Sequence, residues 1–199
     1  GRVSFLVALG GVFAFPAVAL AQTPYSVSLR SEPYQEIPIS HPQAQEPETH
    51  TPLPGIYDRI EIDFPIRFFD IERSKLWIAP QGFIQFTSDT AWRYTNSTLP
   101  STTLPNGIIA PWWDDLDVRG TGAHIKTQIL GHAPNRTLVI EWRAGMYSMG
   151  TNFANFQVWL FENSSTIQIH YGTIGSASFH ASMGIENDDG TVGYEVPVT

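Results

Sequence analysis

Ile108-Ile109-Ala110-Pro111-Trp112-Trp113-Asp114-Asp115-Leu116-Asp117 decides how the rest of the chain is read. An apolar run meets two adjacent tryptophans and then three carboxylates within four positions. Large rings need a core or an interface to cover them, and clustered carboxylates need water, donors or a cation. The segment therefore reads as a buried strand that ends at a polar corner. Successive side chains of a strand point to opposite faces, so Trp112 and Trp113 cannot share one core. One of them is expected at a surface, a sheet edge or a second layer.

Outward from that strand the pattern stays β. Ile60, Ile62 and Phe64 alternate with Arg59, Glu61 and Asp63, the period of a strand with one wet face. Residues 75–79 and 82–87 flank Pro80-Gln81-Gly82, which predicts a hairpin. Ala123 to Ile129 alternates again, and Thr137 to Trp142 reads as a buried strand. Phe156–Glu162 and Thr166–Tyr171 are joined by Asn163-Ser164-Ser165, while Asp189-Gly190 marks a tight turn between two last strands. No helical stripe is present. The expectation is an all-β, antiparallel, jelly-roll-like β-sandwich of about ten short strands over residues 55–199. Residues 88–106 and 145–154 are polar loops, of the length that often carries function.

Composition agrees and excludes some roles. Aromatics make up 13% of 199 residues, with 16 Gly and 15 Pro, and charged residues only 15%. The net charge of −8 argues against nucleic acid and anionic membrane surfaces, both of which select basic stripes. Without cysteine there are no disulfides, thiolate metal sites or thiol chemistry.

The first 54 residues divide in two. Arg2, the apolar Val3–Phe15 run, Pro16 and Ala19-Leu20-Ala21 form the n, h and c regions of a signal peptide over 1–21, with Gln22 as the new N-terminus. The run is short for ~30 Å of hydrocarbon, so no membrane insertion is expected after cleavage. Seven prolines between Gln22 and Pro54, among Gln, Glu, Ser and Thr, predict a disordered linker over 22–54.

From Ile60 to Tyr194 the order of motifs resembles the nidogen-type extracellular domain and its bacterial relatives in secreted and surface proteins. The matching pieces include Gly82-Phe83-Ile84-Gln85-Phe86, Ile109 to Leu116, Val139-Ile140-Glu141-Trp142, Phe156 to Glu162, Ile169-His170-Tyr171-Gly172 and Gly184 to Gly190. The resemblance implies a secreted, non-enzymatic adhesion or matrix module at a bacterial cell surface or outside the cell, one part of a longer protein. Its partner would be an extracellular protein or glycan. The alternative is a carbohydrate-binding accessory domain of a secreted hydrolase or protease.

Candidate sites follow from residue chemistry. Asp114, Asp115 and Asp117 are candidate calcium ligands, since that ion takes hard oxygens, although the spacing lacks the D-x-D-x-D-G loop. The missing spacing favours the other reading, a strand-end corner in which one Asp accepts backbone N–H bonds and another pairs with Arg119 or Arg136. Asp188-Asp189-Gly190 is read as a turn rather than as ligands. Trp92, Tyr94, Trp113 and Tyr147 are the candidate binding surface, as large rings on loops or on the unpaired face of the Trp-Trp strand. Glu141 and Glu162 lie in apolar strands, and a glycosidase would need such a pair ~5–9.5 Å apart. Alternation puts Glu141 on the face opposite Ile140 and Trp142, and Glu162 at its strand's end can be solvated, so no catalytic residue and no obligatory cofactor are assigned. No G-x-S-x-G elbow accompanies the serines and histidines.

Overall fold

The computed structural model describes residues 2–7, 25–37, 48–50, 58–87, 94–146, 153–174 and 180–196. Among the described residues the chain runs through β1 (Arg2–Val7), β2 (Ser26–Ser31), β3 (Glu48–His50), β4 (Asp58–Phe68), β5 (Ile71–Ala79), β6 (Phe83–Gln85) and β7 (Ile108–Trp113). It continues with β8 (Leu116–Asp117), β9 (His124–Leu130), β10 (Thr137–Met146), β11 (Phe153–Phe161), β12 (Thr166–Ile174), β13 (Ser182–Glu186) and β14 (Gly193–Glu195). One sheet is ordered β2-β1-β12-β11-β10-β9-β3, with β8 pairing the end of β10; the other is β14-β13-β7-β6-β5-β4. Pairing is antiparallel except that β1 runs parallel to both β2 and β12. The fold is the expected two-sheet sandwich.

The expected hairpins form where turn chemistry places them. Gly82 takes φ +81° between β5 and β6, and a Cβ there would fall 2.1 Å from the Trp112 carbonyl oxygen. Only glycine lets that turn lie against β7. The β4–β5 register shifts between Glu61 and Ile66, across Pro65. Proline is tolerated there because β4 is an edge strand and the shift releases a ladder position.

Inward-facing residues of both sheets make one main core. Ile62, Phe64, Ile66 and Phe68 of β4, Leu76 and Ile78 of β5, and Ile109 and Trp112 of β7 meet Ile125, Ile140, Trp142, Phe156, Val158 and Ile169. Trp142 stacks on Phe156 at 5.3 Å and donates Nε1–H to Ala79 O at 3.0 Å, which joins the sheets through a buried hydrogen bond. Tyr171 OH donates to Pro111 O at 2.7 Å and makes a second such tie.

Each sheet also has a covered outer face. On the second sheet Ala79, Phe83, Ile108, Ala110 and Trp113 form a separate cluster beneath Leu99. Trp112 and Trp113 therefore do point to opposite faces, at 3% and 1% exposure. The second-layer outcome holds, and Trp113 is corrected from a binding-surface residue to a core residue. Leu99 and the ring of Phe83, 5.1 Å away, help to cover it.

The outer face of the first sheet is covered from the segment expected to be a free linker. Tyr25 and Ile37 are buried, Tyr25 in the main core and Ile37 with Leu130 and Val139. Tyr25 OH accepts Phe69 N–H at 3.1 Å. Described residues of the 22–54 stretch are thus part of the sandwich, and Arg2–Val7, inside the expected leader, pairs with β2 and β12.

Candidate functional site

The buried polar chemistry begins at Glu141. Register pairs it with Lys126 of β9 and Gln157 of β11, on the outer face as alternation requires. The face is not solvated there, however: Glu141 is 1% exposed. Its Oε2 accepts Tyr34 OH at 3.0 Å, Ile37 N–H at 3.1 Å and Gln157 Nε2–H at 2.7 Å. Its Oε1 lies 2.9 Å from His124 Nε2. Gln157 also donates to Gln35 O at 2.7 Å, and Asn155 Nδ2 to Glu36 Oε1 at 3.2 Å. Residues 34–37 form a strap across the sheet, with Glu141 as its anchor.

Glu162 has a different task. Arg136 holds it through Nε at 2.9 Å and Nη2 at 2.8 Å, and also reaches Asp63 at 3.0 Å. That charge-assisted fork pulls the Glu162 carboxyl down to about 2. Gln157 is the partner of Glu141 in β11, and Glu162 lies five residues farther on, roughly 16 Å at ~3.3 Å per residue. The two carboxylates are too far apart for a paired acid and base across a sugar. A cavity of about 100 Å³ lies between β4 and β9, lined by Ile60, Ile62, Thr127, Gln128 and Leu138 among others. Neither glutamate lines it, and it is smaller than the ~300 Å³ at which small-molecule pockets begin.

At the far end of β7 is the acidic corner. Asp114 Oδ1 accepts Asp115 N–H at 2.8 Å, while Oδ2 is buried and accepts no hydrogen bond from any described residue. Burial raises the Asp114 carboxyl, against the Asp115 N–H and the nearby His180. Asp115 is raised by burial and by Asp114 and Asp117. Asp117 is lowered by its hydrogen bonds to Arg119, whose Nε lies 2.8 Å away. The Arg119 pairing considered in the sequence is the one that forms, whereas Arg136 serves Glu162. Among the described residues no three His, Asp or Glu side chains are placed to hold a metal ion.

Beside this corner lies the start of the 94–107 loop. Asn96 Nδ2 donates to His180 O and, at 3.0 Å, to Ser182 Oγ, which donates to Ser97 O at 2.6 Å. Ser182 is paired with Trp113, so the loop is fastened above that ring. Tyr94, 54% exposed, leads into the fastened segment. Trp92 and Tyr147 lie outside the described residues. Asp188 and Asp189 behave as turn residues: Arg73 holds Asp188 at 2.6 and 2.7 Å, and Asp189 accepts from Thr191. They do not meet the first acidic group, since Glu186 and Trp113 mark opposite ends of the β7–β13 ladder.

A family model described as NIDO related matches residues 24–197. The chain belongs to the NIDO-related family. No curated protein and no solved structure matches it. The match starts at residue 24, so the NIDO-related region takes in Tyr25 and the strap as well as the strands from β4 onward. Sequence reasoning missed the Glu141 anchor and the strap. The available signal was Tyr25, Tyr34 and Ile37 among the prolines, together with a lone glutamate in an apolar strand.

Proposed function

We propose that this NIDO-related domain is a non-catalytic extracellular interaction module, exported behind residues 1–21 and working in adhesion or matrix assembly. In that reading β1 pairs in the precursor and is released with the leader. Family membership supports an extracellular setting. The internal use of Glu141 and Glu162 supports binding rather than hydrolysis, because both carboxylates are engaged by groups of the chain itself.

The observation that carries the binding surface is Tyr94. Its ring is exposed on a segment fixed to His180 and Ser182, beside the Asp114–Asp117 corner. An exposed aromatic on a tethered segment beside carboxylates offers stacking area and hydrogen-bond acceptors, which suits a protein or glycan surface. The test is binding of the full chain to immobilised matrix proteins and to a glycan array, comparing wild type with Tyr94→Ala and Asp115→Asn. Loss in both variants without loss of stability supports the reading. Glycan-only binding moves it to the carbohydrate-binding alternative, and binding indifferent to both substitutions removes this surface.

A further inference from the structure

The outer face of the second sheet buries three side-chain oxygens that accept no hydrogen bond from any described residue: Gln85 Oε1, Asn106 Oδ1 and Glu186 Oε1. Their residues are 0%, 5% and 0% exposed. Backbone pairing and packing bring them to one region. Gln85 pairs with Ile108 and Ile108 with Glu186, so the first and third side chains flank Ile108 in one cross-strand row. Asn106 closes the row from the loop, its backbone carbonyl oxygen accepting Gln85 Nε2–H at 3.3 Å and Thr87 Oγ1–H at 2.9 Å. A Cβ placed on Gly190 would touch both Ser101 O and Asn106 Cγ, so those atoms are neighbours. Ser101 N–H in turn donates to Glu186 Oε2 at 2.8 Å.

The chemistry of these atoms is one-sided. Asn106 O can only accept, so Gln85 must face it with Nε2, and Oε1 is turned away. Gln85 Oε1, Asn106 Oδ1 and the oxygens of an ionised Glu186 are acceptors, and a buried acceptor without a donor costs about 1–3 kcal/mol. Arg73 reaches the same 187–190 turn, where its Nη2 donates to both oxygens of Asp188, while its buried Nε donates to no described residue. Burial pushes the Glu186 carboxyl up to about 7, with the Ser101 N–H only partly opposing it.

We propose that Glu186, Gln85 and Asn106 form a site for a divalent cation of the calcium class beneath the 94–107 loop. One carboxylate and two amide carbonyls are hard oxygen donors of the kind Ca²⁺ accepts in irregular, partly hydrated coordination. Mg²⁺ fits less well, since it demands near-octahedral geometry and gives up its waters reluctantly. Three protein ligands with one formal charge place the affinity in the weak extracellular class, ~0.1–1 mM. The ion would join β6, β13 and the loop. It is separate from the Asp114–Asp117 corner, at the other end of the β7–β13 ladder, and does not depend on what Tyr94 touches.

The experiment is thermal unfolding of the chelator-treated full chain at pH 8 during titration with CaCl₂ and, separately, MgCl₂. The expected result is a saturable rise in Tm with Ca²⁺, half-complete at ~0.1–1 mM and weaker with Mg²⁺. It should be abolished in Glu186→Gln and shifted at least about tenfold higher in Asn106→Ala, for loss of a ligand. The Asn106 side-chain oxygen accepts no hydrogen bond from any described residue, so the second variant keeps the test decisive if Glu186→Gln folds poorly. No Ca²⁺ response, or a response unchanged in Asn106→Ala, overturns the proposal. So does a Glu186→Gln chain that is more stable than wild type and responds to Ca²⁺ as wild type does, which would mark Glu186 as a buried neutral acid.

Discussion

Tyr34 and Glu141 are 107 positions apart in sequence, yet the tyrosine hydroxyl donates to the buried carboxylate at 3.0 Å. This contact converts a proline-rich segment into a cover for the first sheet. It also explains how a carboxyl group survives in the middle of an apolar strand: four polar groups of the chain surround its two oxygens.

Glu141→Ala should therefore be among the most damaging single substitutions. It leaves Tyr34 OH, Ile37 N–H and Gln157 Nε2–H facing a void, and a loss of about 3–5 kcal/mol is expected. Urea denaturation measures the loss, and limited proteolysis should cut near residues 32–36 in the variant first. Glu141→Gln, which keeps the shape and one acceptor, should lose less.

Trp113→Ala and Tyr94→Ala should separate packing from contact. Trp113 fills the small cluster under Leu99, so its truncation should cost about 3–5 kcal/mol. Tyr94 is exposed, and its truncation should change stability by no more than about 0.5 kcal/mol. Chemical denaturation of the two variants side by side checks both.

Gly190→Ala tests the turn beside the buried oxygens. The backbone there has φ +66°, and the new Cβ would overlap Ser101 O at 1.9 Å. A destabilisation of about 2 kcal/mol or more is expected, read as a lower denaturation midpoint with an unchanged m-value.

Acid unfolding should report the Arg136–Glu162 pair. The Glu162 carboxyl is lowered in the folded chain from 4.5 to about 2, so its contribution is present above about pH 4.5 and is lost as pH falls toward 2. Arg136→Ala removes that dependence. The stability difference between wild type and variant should thus be largest above pH 4.5 and shrink toward pH 2, followed by circular dichroism.

Strand alternation and turn residues made the sandwich legible. Ile60-Ile62-Phe64, the Pro80-Gln81-Gly82 turn and Asn163-Ser164-Ser165 each report a local requirement, and each appears where it was expected. The opposite facing of Trp112 and Trp113 is equally local. The two outer layers were hidden because their causes are remote. Nothing near Tyr34 or Ile37 announces Glu141, and nothing near Ser101 announces Glu186 at a separation of 85 residues. Alternation correctly put Glu141 on an outer face. It could not show that another part of the chain would dry that face, since burial of polar segments depends on tertiary hydrogen bonds rather than on period.

The central claim is that the domain is built to be touched at the Tyr94 end of the sandwich and performs no chemistry. Binding of the full chain to an array of extracellular glycans and matrix proteins, with released product assayed on the same array, tests it most directly. The account predicts retained, unmodified ligand on the array and at least about tenfold weaker binding in Tyr94→Ala at unchanged Tm, as for an aromatic hot spot. Undiminished binding by Tyr94→Ala, or product release that disappears in Glu141→Gln, would contradict it.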